Sequence, residues 1–235
     1  MLLFDEIGIC VPEILLPACS VPQKTWGIVA CDQYTAQPEI WQRFANAVGN
    51  APSTLSIILP EAYLNAPDVP DRIAKISSSM RRMLSDGTLV PMQPEGFISV
   101  HRTTCSGTRH GLMLAIDLDQ YSFAPGTKAL IRATEAVIAE RVPPRVRIRE
   151  GAPLECPHIM LLYDDPEHLL SRAIDAHACR ILYDTDLLEE GGHVKGEAVV
   201  GDALQDAVSA LKILAERAKS CGTFLFAVGD GNHSL

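Results

Sequence analysis

Apolar positions recur along this chain with two kinds of spacing, and the spacing divides it into elements. The clearest helical stripe is Leu204, Ala207, Val208, Leu211, Leu214, Ala215 and Ala218, whose three- and four-residue steps keep them on one face. Asp202 to Gln205 has the pattern of a capping box before it, and Gly222 supplies a stop. A second stripe, Ile73, Ile76, Met80 and Leu84, starts at Asp68 and Pro70 and closes at Asp86 and Gly87. A third, Ile40, Trp41, Phe44, Ala45 and Val48, opens with Pro38 and ends at Gly49. Asp164, Asp165 and Glu167 around Pro166 mark a fourth helix, reaching about His177.

Short, largely apolar runs predict strands, the last of them buried on both faces. They lie at residues 26–31, 55–59, 159–163, 180–183, 197–200 and 224–228. Residues 96–102 and 110–118 read as a pair of strands joined by a mobile hairpin tip at 103–109. Pro12, Pro17 and Pro22 predict that the first 25 residues wrap in extended form. Residues 129–140 could form a helix, and Pro143 and Pro144 predict an extended exit from it. Strands and helices mix without strict alternation. The expectation is an α/β protein with a mixed sheet, α+β in organisation, with residues 1–235 as one region.

Composition removes several function classes. A formal net charge of −9 argues against a general nucleic-acid binder, which needs concentrated Lys and Arg. The seven cysteines are odd in number and scattered, with no C-x-x-C pair, so neither a disulfide framework nor a zinc finger is expected. No leader pattern and no apolar run of about eighteen residues is present, which predicts a reducing cytoplasm and no membrane span. Oligomeric state leaves no trace in the sequence.

Candidate chemistry collects where predicted strands end. The last strand runs into Gly229, Asp230, Gly231, Asn232, His233 and Ser234. Two glycines permit a tight turn and close approach of a ligand. Gly231, Asn232 and Ser234 could then present amides of a following helix to phosphate, while Asp230 and His233 handle protons. The competing reading is a polar turn whose Asp and Asn bond only backbone. Asp32, Gln33 and Tyr34 follow another predicted strand and are candidates for a substrate wall. Arg132 and Arg145 lie in an irregular stretch and suit phosphate or carboxylate clamping, whereas Arg147 and Arg149 read as solvated. His158 is a further candidate contact, with a structural hydrogen bond as its alternative, and His193 in a glycine-rich turn is a weaker one. No histidine pair has zinc-site spacing, so no metal ligand is assigned.

Several segments together carry a resemblance. They include Trp26-Gly-Ile-Val-Ala-Cys-Asp-Gln-Tyr-Thr-Ala-Gln-Pro38, Glu140-Arg-Val-Pro-Pro-Arg-Val-Arg-Ile-Arg-Glu150, residues 52–64, 130–135 and 157–160, and the terminal Val228-Gly-Asp-Gly-Asn-His-Ser-Leu235. They resemble an uncharacterised prokaryotic family, domain of unknown function 1015. More distantly, the chain is similar to the ParB/sulfiredoxin-like superfamily, which includes an ADP-dependent free-serine kinase. That similarity implies a ParB/sulfiredoxin-like element at the C-terminal end, with nucleotide phosphate held at an Asp-Gly-His-His-Arg type motif. It further implies ADP or ATP with Mg²⁺, and a serine-like small molecule as phosphate acceptor. Asp230, Gly231 and His233 match this motif, but Asn232 stands for a histidine and Ser234 for the arginine. Without that guanidinium, a non-catalytic ligand-sensing module is the alternative, and a metal-assisted hydrolase using Asp230 and His233 is the third reading. Family members continue past the motif, and a core strand with a helix-starting turn makes an unusual domain end. The expectation is that the chain is the N-terminal part of a longer protein.

Overall fold

In the computed structural model, which describes residues 2–235, two four-stranded sheets share one core. The first is antiparallel, in the order Arg180–Asp186, His193–Val199, Phe97–Thr104, Gly107–Met113. The second is mixed, in the order Met160–Leu162, Phe226–Asp230, Ile131–Ala133, Tyr121–Ser122. Met160–Leu162 runs antiparallel to its neighbour, and the other three strands run parallel to one another. Helices and mixed pairing together give the expected α/β class.

The long helix Asp202–Ser220 joins the sheets. All seven residues of its predicted stripe are buried, and all but Ala218 share a cluster with Phe97 and Val199 of one sheet and Ile131, Phe226 and Val228 of the other. Leu211 is fully enclosed at 0% exposure; each leucine buried this way stabilises the fold by about 1.5–3 kcal/mol. The helix N-cap is Gly201, at φ +57°, so the capping box expected at Asp202 does not form. Asp202 instead lies in the first turn, where its charge faces the positive end of the helix dipole. Helix Pro38–Val48 buries Ile40, Trp41, Phe44 and Val48 but leaves Ala45 exposed. Helix Val69–Ser85 buries Ile76, Met80 and Met83, with Met83 taking the place expected for the exposed Leu84. The fourth helix is short, Leu169–Asp175, and both carboxylate oxygens of Asp165 accept its leading amides, from Leu169 at 2.8 Å and Leu170 at 2.9 Å.

Several expectations fail for identifiable reasons. Residues 27–31 and 57–59 are irregular, not strands; Trp26 closes a helical turn, Gln23–Trp26, and Thr54–Ser56 is a 3-10 turn. Their backbones are held by side chains: Ser53 Oγ and Thr54 Oγ1 donate to the Trp26 carbonyl at 3.1 and 2.9 Å, and the Ile28 amide donates to Thr54 Oγ1 at 3.3 Å. The expected helix at 129–140 is replaced by strand Ile131–Ala133 and a 3-10 turn at Ala139–Arg141. Pro143 and Pro144, read as forcing an extended exit, begin helix Val142–Arg149, because the first turn needs no amide donors. The hairpin tip shrinks to Cys105 and Ser106, as the strands pair out to Thr104 and Gly107. The N-terminal segment contains short strands Leu3–Phe4, Ile9–Cys10 and Leu15–Pro17 rather than a continuous extended wrap. The last strand lies two residues later than expected, at Phe226–Asp230, so Asp230 ends the strand itself.

Candidate functional site

Strands Tyr121–Ser122, Ile131–Ala133 and Phe226–Asp230 point the same way, so their carboxyl ends open on one edge of the mixed sheet. The crevice beyond that edge is the general ligand position in such sheets. The turn after Asp230 lies there. Gly231 sits at φ +80°, and a Cβ on it would approach Ile159 Cα to 3.1 Å, so conformation favours glycine and a side chain would press on Ile159.

The turn is tied down from several sides. Asp230 Oδ1 accepts the Gly231 amide at 2.8 Å, and the Ser234 amide donates to the Gly231 carbonyl at 2.8 Å. Asn232 and Ser234 are buried, at 5% and 7% exposure, and Asn232 Nδ2 donates to the Glu135 carbonyl at 3.4 Å. The Ile138 amide donates to His233 Nε2 at 2.9 Å. Arg149, expected to be merely solvated, donates to the Ser234 carbonyl and pairs with Glu155 at 2.9 Å. The amide cradle is therefore smaller than the sequence suggested. Two of the four amides from Gly231 to Ser234 are spent within the turn, and residues 232–234 form a turn instead of a helix start.

A cavity of about 260 Å³ gathers most of the nominated residues. Asp230, Gly231, Asn232, His233 and Ser234 form one side, and Asp32, Gln33, Arg145 and His158 join them from distant parts of the chain. Three further residues that carried no assigned role, Glu61, Glu135 and Arg141, complete its charged lining. Their only sequence signal was charge within poorly patterned stretches, since Glu61 follows Pro60, Glu135 lies within the misread helix and Arg141 just after it. The lining thus sets four carboxylates (Asp32, Glu61, Glu135, Asp230) against two guanidiniums (Arg141, Arg145). Arg145 pairs with Glu61, both side chains about one-fifth exposed at 18% and 20%, and also donates to the Arg141 carbonyl at 2.8 Å. Gln33 Nε2 donates to Asp32 Oδ1 at 3.3 Å.

His158 lies with Nδ1 3.6 Å from Cys31 Sγ. Burial, followed by the negative charges of Asp32 and Glu61, pushes the Cys31 thiol up to about 12. That thiol stays protonated at neutral pH and is no nucleophile. Among the described residues, no three His, Cys, Asp or Glu side chains are placed to hold a metal ion together.

Three nominated residues stand elsewhere. Tyr34 packs with the cluster of Ile40, Trp41 and Phe44, and its carbonyl accepts Trp41 Nε1 at 3.4 Å. Arg132 lies with its guanidinium 4.9 Å from the Phe224 ring centroid and donates through Nε to the Ala129 carbonyl at 2.8 Å. It lines a separate cavity of about 440 Å³ beside Phe123 and Thr134. His193 lies on the antiparallel sheet, bridging Asp184 and Asp186 at 2.6 and 2.8 Å.

Residues 16–235 match a family model described as "Protein of unknown function (DUF1015)", and the chain belongs to that family. No curated protein and no solved structure matches it. Among the described residues, no helix is long and apolar enough to cross a membrane.

Proposed function

We propose, from the premise of a family without assigned activity, that this chain binds a small phosphorylated metabolite in the cavity beside residues 230–234. One observation carries the reading. Residues nominated separately along some two hundred positions, Asp32 and Gln33, Arg145, His158 and the terminal turn, wall a single cavity with two guanidiniums in it. Arg141 and Arg145 suit the phosphate, since guanidinium donors match its geometry. Asp32, Glu135 and Asp230 suit a cationic or hydroxylated remainder, as a serine-like molecule carries. The size of about 260 Å³ lies just below the roughly 300–1,000 Å³ usual for drug-sized ligands, which favours a compact metabolite over a whole nucleotide.

A phosphotransferase of ParB/sulfiredoxin-like type is the further step of this reading, supported by the match of Asp230, Gly231 and His233 to that motif. Proton transfer would fall to Asp230, because the His233 Nε2 lone pair already accepts the Ile138 amide. Mg²⁺ brought in with ADP or ATP would need one or two carboxylates beside the ligand's own phosphates, and the cavity wall holds such groups. The second reading, a non-catalytic sensing module, is favoured by that same occupied lone pair and by Ser234 at the motif's arginine position. Seven unpaired cysteines support a reducing compartment for either.

Calorimetric titration with O-phosphoserine, serine, ADP and ATP, with and without Mg²⁺, tests the proposal. Phosphoserine or another phosphorylated small molecule is expected to bind, and Arg145→Ala to weaken it about tenfold or more. Equal affinity in the variant, or no binding of any phosphorylated compound, sinks it. Turnover of nucleotide with a hydroxylated acceptor then separates kinase from sensor.

A further inference from the structure

Two histidines line the cavity, and each has one ring nitrogen already engaged on protein. A backbone amide can only donate, so His233 Nε2, 2.9 Å from the Ile138 N–H, must be the unprotonated nitrogen. The proton of the neutral ring is then on Nδ1. The contact of His158 with Cys31 allows the complementary arrangement. The His158 Nδ1 lies 3.6 Å from Cys31 Sγ, within reach of a thiol donor. Half-buried beside Asp32 and Glu61, that thiol keeps its proton and has it to give. A ring whose Nδ1 accepts carries its proton on Nε2.

We infer that Cys31 and the Ile138 amide lock the cavity's two histidines as opposite neutral tautomers, which present His158 Nε2–H and His233 Nδ1–H as hydrogen-bond donors to the anionic group of the bound metabolite. This rests on the reading of the cavity as a phosphate site and deepens it. It resolves a difficulty in that reading, because four carboxylates outnumber two guanidiniums around the cavity. Arg145 is also partly neutralised by Glu61. Neutral N–H donors hold an anion without adding charge that those carboxylates would capture. In this scheme Cys31 is a positioning residue, since it touches His158 and not the ligand.

Long-range proton–nitrogen NMR of the histidine-labelled chain reads the tautomers directly, without ligand. The expected result is an Nε2–H ring for His158 and an Nδ1–H ring for His233. Cys31→Ala should turn His158 into a mixture of tautomers, and Cys31→Ser, which keeps a donor, should restore the single form. Titration with inorganic phosphate should then move the His158 Nε2 and His233 Nδ1 signals, and His158→Ala, which removes the donor, should weaken phosphate about tenfold. The opposite tautomer at either ring, or an unchanged His158 in Cys31→Ala, overturns the lock, whatever phosphate does. Locked rings whose signals ignore phosphate, while Arg145→Ala still abolishes phosphate binding, overturn the donor role and leave the anion site standing. Locked rings in a wild-type chain that binds no phosphate at all overturn the donor role together with the reading beneath it. Should any variant fail to fold, the wild-type tautomers alone still decide the lock.

Discussion

His193 shows how little a residue's local sequence says about its job. Its glycine-rich neighbourhood suggested a turn, yet it begins strand His193–Val199 and both ring nitrogens contact carboxylates across the Arg180–Asp186 strand. Asp186 first, then Asp184, raises its pKa above the ordinary 6.5. The protonated ring donates from both nitrogens, so the folded form holds the proton more tightly than the unfolded one. The resulting stability is complete below about pH 6.5 and is lost as pH rises through the raised folded value. His193→Gln is therefore expected to lower the urea midpoint near pH 6 and to leave it close to wild type near pH 9. Exposure of the carboxylates, 48% for Asp184 and 84% for Asp186, keeps the effect small and salt-sensitive. A variant that loses equally at both pH values contradicts the bridge.

Among elements, the long helical stripes were legible, and four of the six short apolar runs became strands, at Met160–Leu162, Arg180–Asp186, His193–Val199 and Phe226–Asp230. A stripe repeated over four turns, as in Asp202–Ser220, has one way to be buried, and the chain follows it. Short runs such as residues 26–31 and 55–59, apolar but for Gly27 and Ser56, fix no period, so they could satisfy their backbones by other means. They do so through Ser53 and Thr54, whose hydroxyls replace a strand ladder at the Trp26 carbonyl. Ser53 is only 1% exposed and also accepts the Leu55 amide at 3.2 Å, capping the 3-10 turn. Ser53→Ala should cost about 1–2 kcal/mol by losing both bonds, whereas Ser53→Thr keeps the hydroxyl and should cost less wherever its extra methyl is accommodated. Denaturant midpoints measure this, and a neutral Ser53→Ala would mean that the packing of Ile57 and Leu59, not the hydroxyl, holds the segment. The prolines mislead for a related reason. Pro143 and Pro144 forbid helix only where an amide is needed, and position within the helix is a property of the element, not of the dipeptide.

At the scale of the whole molecule, the candidate site was half visible. The turn at 230–234 announces itself because glycine, amide and carboxylate crowd the end of a buried strand, whereas Glu61 and Glu135 acquire meaning only when the fold brings them to the same edge. Nothing local distinguishes Arg145, which faces the cavity, from Arg149 one turn later, which grips the Ser234 carbonyl. That grip links helix Val142–Arg149 to the terminal turn, so the two sides of the cavity are held at a fixed spacing. Arg149→Ala removes the tie without touching the cavity lining. Its side chain is 44% exposed, so the unliganded variant should stay within about 1 kcal/mol of wild type. Binding should suffer more, because misplaced recognition groups lose affinity even when all are present. For wild type, a ligand at about one hundred times its dissociation constant adds about 2.7 kcal/mol of stability, or roughly 5–11 °C in a chain of this length. At the same ligand concentration a tenfold weaker variant forfeits about 1.3 kcal/mol of that gain, visible as a smaller rise in Tm. Equal rises in both proteins would show that the terminal turn keeps its geometry unaided, and that Arg149 is the solvated arginine its sequence context suggested.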